Sequence, residues 1–258
     1  MSEVPRGSFA TTRWSLVRRA GTGDATPEAR HALEELCALA WYPLFHYLRR
    51  RGRDPHEAAD LVQGLFLGLL QRNDFERLDP ARGRFRSFLL AALEHHASHE
   101  HAKRRALKRG GGVRLEALDV PTVEDAEERY RREPVDQRTP EAAFESAWAR
   151  ELLDRAWRTL EAEYEARGKL ELFRALAPCV GGSAEALPYA ELARSLDASV
   201  GTVKVTVHRL RTRFRDCLRR EIAETLPAEA FGGASDPVEE ELRHLFEAVR
   251  VEDSGDSR

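Results

Sequence analysis

An all-α fold built from two small helical domains is what this sequence predicts, and three observations carry the prediction. Apolar residues recur at helical spacing in several separate stretches, no segment shows strand-like alternation, and an acidic, proline-bearing stretch divides the chain. The chain has 258 residues, 42% of them hydrophobic and 33% charged, with a mean hydropathy of −0.54. That charge load sits better on small helical domains with much wet surface than on one large core. No run approaches the roughly 18 apolar residues that a membrane-spanning helix needs, and the opening MSEVPRGSFATTRW has no apolar signal core. Cys37, Cys179 and Cys217 are scattered and form no CxxC, which argues against a disulfide scaffold or a cysteine-rich zinc site and for a reducing cytoplasm.

The elements follow in order. Residues 1–28 are a mixed N-terminal extension. Leu33, Leu36, Cys37, Trp41, Leu44 and Leu48 recur at helical spacing, and Pro43 is expected to bend or restart that helix. Asp54-Pro55-His56-Glu57 is a helix start, with an Asp cap, Pro at the first helical position and an acid in the first turn. Ala58, Leu61, Val62, Leu65, Leu69 and Leu70 form its buried face, which leaves Asp60, Gln63, Gly64 and Leu67 on the other side. Residues 71–84 read as a loop with Asp79-Pro80 and Gly83 as breakers. Phe85, Phe88, Leu89, Ala92 and His96 open a further helix that runs into Lys103-Arg104-Arg105 and stops at Gly110-Gly111-Gly112. Residues 29–114 thus read as one helical domain. Residues 115–140 are acidic and poor in apolar groups, and are expected to be a flexible linker. Residues 141–225 form a second helical domain, and 226–258 an acidic extension.

A net charge of −3, from 41 basic and 44 acidic residues, at first speaks against a nucleic-acid partner. Its distribution reverses that reading. Residues 221–258 carry eleven acids and three bases, so the remaining body is net basic by five charges. The bases form three knots: Arg49–Arg53, Lys103–Arg114 and Lys204–Arg220.

The third knot lies on a recognisable motif. Pro188–Leu196 is a short helix, Asp197-Ala198-Ser199 a turn, and Val200 onward a long basic helix, together a helix-turn-helix. Leu192, Ala193, Leu196, Val200, Val203, Val207 and Leu210 are placed to interlock the two helices, and Ser199 to cap the second. Thr202, Lys204, Val205, Thr206, His208, Arg209 and Arg211 project outward, as residues that read base edges or clamp phosphates in a major groove do.

The stretch LPYAELARSLDASVGTVKVTVHRLRTRFRDCL resembles the −35-binding domain 4 of bacterial sigma factors of the extracytoplasmic-function group. DPHEAADLVQGLFLGLLQRN, with Asp60-Leu61-Val62-Gln63, resembles the second helix of sigma domain 2, and RGRFRSFLLAAL with its basic sequel resembles the −10-reading helix. The opening FATTRWSLVRRAG and the LDPARGRFRSFL…KRGGG pattern resemble a subset of that group, and the likeness spans roughly residues 8–225. It implies a non-enzymatic protein without cofactor or bound metal. Such a protein docks on core RNA polymerase, at the clamp helices of the largest subunit and at the flap region, and directs it to promoters. Asp60, Gln63, Gly64 and Leu67 would contact polymerase. Double-stranded −35 DNA would meet Ser199, Thr202, Lys204, Val205, Thr206, His208, Arg209 and Arg211. Single-stranded −10 DNA would meet Arg82, Arg84, Arg86, His95, Lys103, Arg104 and Arg105, with residues 78–84 as the pocket loop. Phe85 and Phe88 read as core rather than as base platforms.

His95 stands where related sequences often carry Asn, and His96, His99 and His101 replace apolar or acidic positions. His95 and His99 have the i, i+4 spacing of a metal pair but no clustered third ligand, so a metal-dependent hydrolase is the weak rival and a polar DNA-facing strip the stronger reading. The acidic linker would run along the polymerase channel, with plain disorder as the alternative. Leu242, Leu245, Phe246 and Val249 would share one face of an acidic tail helix. That helix would fold back on the basic domain 4 and inhibit it, bind a regulator such as an anti-sigma factor, or remain a solvated appendage. The rival class for the whole chain is a stand-alone helix-turn-helix regulator, which would leave the Asp54–Leu70 helix without a role.

Overall fold

The structure is a computed structural model and describes residues 26–72, 84–106, 121–133, 138–181, 187–227, 230–231 and 235–250. Among these residues there are nine helices and no strand. They are α1 (Pro27–Arg50), α2 (Pro55–Arg72), α3 (Phe85–Ala106), α4 (Val123–Arg132), α5 (Pro140–Glu165), α6 (Leu170–Val180), α7 (Tyr189–Ser195), α8 (Val200–Glu224) and α9 (Pro237–Arg250). No helix of the described residues is long and apolar enough to cross a membrane. The chain divides into two compact units, one of residues 1–151 with 222–258 and one of residues 152–221. The start of α5 and the tail helix thus belong with the first unit, where the sequence pattern grouped residues 141–225 together and set 226–258 apart.

The first unit is organised around α1. Every residue from Leu39 to Leu48 is buried, so this stretch has no solvent face. Ala58, Leu61, Val62, Leu65, Phe66 and Leu69 of α2, Phe85, Leu89 and Leu93 of α3, and Phe144, Ala147 and Trp148 of α5 are buried in the same unit. Trp41 stacks on Phe45 at 5.3 Å between ring centroids, and Phe85 lies 6.2 Å from Trp148. Phe85 is therefore core, as its spacing suggests. The Asp54 start also forms as read: Asp54 Oδ1 accepts from the Glu57 amide at 2.9 Å. Pro43, by contrast, neither breaks nor restarts α1, which runs through it. The ring costs the helix one hydrogen bond. The all-round packing of the residues on both sides of Pro43 offsets that loss.

The expected flexible linker contains a helix. Thr122 caps α4 by accepting from the Asp125 amide at 3.1 Å, Glu124 and Asp125 occupy its first turn, and Arg129, Arg131 and Arg132 its last. Its inner face lies on α1. Glu127 receives Arg49 through Nε at 2.8 Å and Nη2 at 3.1 Å, and Tyr130 sits 5.3 Å from the His46 ring. Glu133 just beyond α4 gathers Tyr42 Oη at 2.7 Å, His46 Nε2 at 3.0 Å and Arg150 Nη1 at 3.0 Å. Tyr42 Oη and His46 Nε2 of α1, which a purely apolar partner would strand, are thereby satisfied, whereas Trp41 Nε1 and His46 Nδ1 are buried without a hydrogen-bond partner.

In the second unit, Leu152, Ala156, Leu160, Phe173, Leu176, Leu192, Val203, Val207 and Leu210 are buried. Trp157 packs 5.1 Å from Phe173 and 5.4 Å from Phe214. Gly168, at φ +66°, lets the chain turn sharply after α5, and the Lys169 amide closes that turn on the Tyr164 carbonyl at 2.9 Å. Arg213 grips Glu163 with two bonds, 2.8 Å from Nε and 2.6 Å from Nη2, and holds that carboxyl below the usual carboxylate range.

Burial alone would raise the Glu133 carboxyl, but hydrogen bonds from His46 and Tyr42, with the charge of Arg150, hold it at about 2 against an ordinary 4.5. A depressed folded value means that its stabilisation is complete above about 4.5 and is lost as pH falls toward 2. Glu133→Gln is expected to cost on the order of 2 kcal/mol at neutral pH by urea denaturation. The gap to the parent chain should narrow across that acidic window; a gap that is independent of pH would show that ionised Glu133 does not hold α4 to α1.

Candidate nucleic-acid interface

In the first unit, α2 buries Ala58, Ala59, Leu61, Val62, Leu65, Phe66 and Leu69. Asp60 is exposed, and Gln63, Gly64 and Leu67 are partly so, which leaves one narrow strip for a partner. Gly64 has a structural reason to be glycine: a Cβ there would lie 2.7 Å from His96 Nε2 of α3. His96 therefore packs over the middle of the strip, and Gly64 serves the close approach of α2 and α3 rather than offering a free contact.

The residues assigned to −10 DNA run from the approach to α3 to its last turn, and the structure treats them differently. Arg84 is partly exposed, at 39% of its side chain, with Nε 2.7 Å from Glu241 Oε2 of α9. Arg86 is not a surface residue: only 3% of its side chain is exposed. Its Nε donates to Glu145 Oε2 at 2.6 Å and its Nη1 to Glu241 Oε1. As placed here it cannot reach a nucleic acid, because burial in this unit required two carboxylates to neutralise it. His95 is exposed and stacks edge-on against His99 at 4.5 Å. Among the described residues no group of three or more His, Cys, Asp or Glu is placed to hold a metal ion. Lys103, Arg104 and Arg105 lie within the span of α3, but their side chains, like Arg82 and the rest of the 78–83 loop, lie outside the described residues.

In the second unit, α7 and α8 are joined by a tight turn. Asp197 adopts φ +47°, a left-handed conformation that Asp tolerates better than most residues, and the Ala198 amide donates to the Ala193 carbonyl at 2.9 Å. Ser199 Oγ accepts from the Thr202 amide at 3.0 Å and so caps α8. Leu192, Ala193, Val203, Val207 and Leu210 interlock as expected, but Val200 is 39% exposed and stays outside that core. Lys204, Val205, His208 and Arg209 are exposed on the outer side of α8. Thr206 Oγ1 donates to the Thr202 carbonyl at 2.8 Å, and Arg211 Nη2 to the Cys179 carbonyl at 2.5 Å, so both are partly committed to the protein. The exposed side of α8 carries the apolar side chains Val200 and Val205 beside Lys204 and Arg209. This face suits phosphate contact and readout of a thymine methyl.

Two features escaped the sequence pattern. Glu145 and Glu241 lie 59 and 155 positions from Arg86, and no local spacing announces such pairs. The helix α4 was signalled by Thr122 with Asp125, the acidic first turn and the basic last turn, but the low apolar content masked that signal.

Residues 42–107 match the family model of sigma-70 region 2. That stretch of the chain is similar to sigma-70 region 2. The matched span begins inside α1, takes in α2 and α3 and ends one residue past α3. Comparison with curated proteins and with solved structures returned no match. Region 2 supports a sigma-factor role in promoter recognition and transcription initiation, which is not an enzymatic role, with core RNA polymerase and −10 promoter DNA as the partners that the domain implies.

The close approach of α2 and α3 yields a test of their packing. Glycine inside a helix costs about 1 kcal/mol relative to alanine. With His96 present, Gly64→Ala must displace the imidazole, so its gain is expected to be largely cancelled. In a His96→Ala background the same change should stabilise the chain by about 1 kcal/mol in thermal or urea unfolding. Equal effects in both backgrounds would show that Gly64 and His96 are not coupled.

Proposed function

We propose that the chain is a sigma factor of the extracytoplasmic-function group, with region 2 and a −35-reading helix-turn-helix as its two working parts. The observation that carries this reading is the region 2 match across 42–107 in a chain that also bears a capped, outwardly basic α8. In this reading Asp60, Gln63 and Leu67 dock on the clamp helices of the largest polymerase subunit, and the second unit lies toward the flap. Lys204, Val205, His208 and Arg209 enter the major groove of the −35 element, beside Thr202 and Thr206, whose hydroxyls bond to Ser199 and to the Thr202 carbonyl. Arg82, Arg84, His95 and Lys103–Arg105 track the melted −10 strand. The stand-alone regulator reading would leave region 2 without a task.

Reconstitution with core polymerase tests the proposal. The mixture should form a complex on a native gel and produce transcripts from a promoter-library template, and Asp60→Ala should weaken the complex. Failure of both complex and transcript overturns the reading. Arg209→Ala is expected to cost about 1–3 kcal/mol in −35 duplex affinity, and Lys204→Ala to flatten the salt dependence by about one unit of slope. Unchanged duplex binding in both variants would remove α8 from the promoter.

A further inference from the structure

We propose that α9 is a displaceable latch on the head of α3, in which Glu241 occupies Arg84 and Arg86 and single-stranded DNA phosphate competes with it for them. The inference rests on the promoter reading above and adds a regulation to it. The acidic helix packs within the first unit, a placement that is none of the three the sequence leaves open for the tail.

The contact has the form of a substrate mimic. Glu241 is only 1% exposed and sits between two guanidiniums: Arg86 Nη1 donates to Oε1, and Arg84 Nε lies 2.7 Å from Oε2 as an ion pair in which Oε2 accepts no hydrogen bond. A carboxylate and a phosphate satisfy arginine with the same geometry, so each excludes the other. The cluster is built to survive the exchange. Arg86 keeps Glu145 Oε2 on its Nε at 2.6 Å, so withdrawal of Glu241 does not strand a buried cation. With Glu241 in place, two arginines face two glutamates; without it, the pair carries one net positive charge, enough for one phosphate. The hold of α9 is also modest. Val238, Leu242 and Leu245 are its buried apolar side chains, while Phe246 of the same helix remains 45% exposed. Asp236 caps α9 through the Val238 amide at 3.0 Å, which lets the helix persist when it is lifted.

Hydrogen exchange on the full chain in complex with core polymerase, with and without an oligo(dT) of about 20 nucleotides, tests the latch without any substitution. Amides of α9 should lose protection several-fold when the oligonucleotide binds, while those of α1 keep theirs. Glu241→Gln should bind oligo(dT) about three-fold tighter, with a salt slope steeper by about 0.7, the increment of one single-strand phosphate. Arg84→Ala should abolish that gain. If the oligonucleotide binds and α9 stays protected, the latch is overturned and the promoter reading stands. If the polymerase complex binds no DNA, the promoter reading falls and the latch with it.

Discussion

Everything in the first unit answers to one constraint: a ten-residue stretch of α1, Leu39–Leu48, must be hidden on all sides. A helix with one apolar stripe needs one partner, whereas a helix apolar all round needs a complete sheath. The helices α2 and α3 supply part of it, and α4 and the start of α5 supply more. The acidic stretch before α5 is therefore structure and not slack, despite its low apolar content. It brings Glu133 to Tyr42 and His46 together, while Tyr47 takes its carboxylate, Glu94, from α3.

The arginines fall into two populations, and the distinction governs what the net charge means. Arg49, Arg86, Arg129 and Arg213 are spent on carboxylates within their own unit. Lys204 and Arg209 are exposed on the outer face of α8. A charge count treats both alike, so the total of −3 says nothing about partners. Internal pairs restrict geometry, whereas exposed cations supply long-range attraction and salt-dependent affinity.

Much of the fold was legible because its signals are local. The Asp54 cap, the buried face of α2, Phe85 as core and the Ser199 turn all rest on residues within a few positions of one another. The candidate site was legible where it lies on such elements, as with Lys204, Val205 and Arg209. It was misread where a distant partner decides the outcome. Arg86 looks like its neighbours in sequence, yet Glu145 and Glu241 make it an interior group. Pro43 looks able to restart the helix, yet α1 runs through it, packed on both sides. In each case a tertiary contact overrode a local preference that was itself correctly read.

The Arg86 cluster also shows why charge, rather than more apolar surface, was placed at that seam. A buried ion pair repays little more than its own desolvation, and well-packed apolar residues would serve stability as well. What carboxylates add is selectivity of placement. An apolar helix face can slide by a turn with modest loss, whereas Glu241 must meet Arg84 and Arg86 at once. The α9 register is thus specified by two guanidiniums on α3 and its immediate approach, while Val238, Leu242 and Leu245 supply contact area. The second carboxylate, Glu145, makes that specification reversible: with it in place, removing α9 exposes a charge that already has a partner, and the cost of leaving the seam is smaller than that of a lone buried pair.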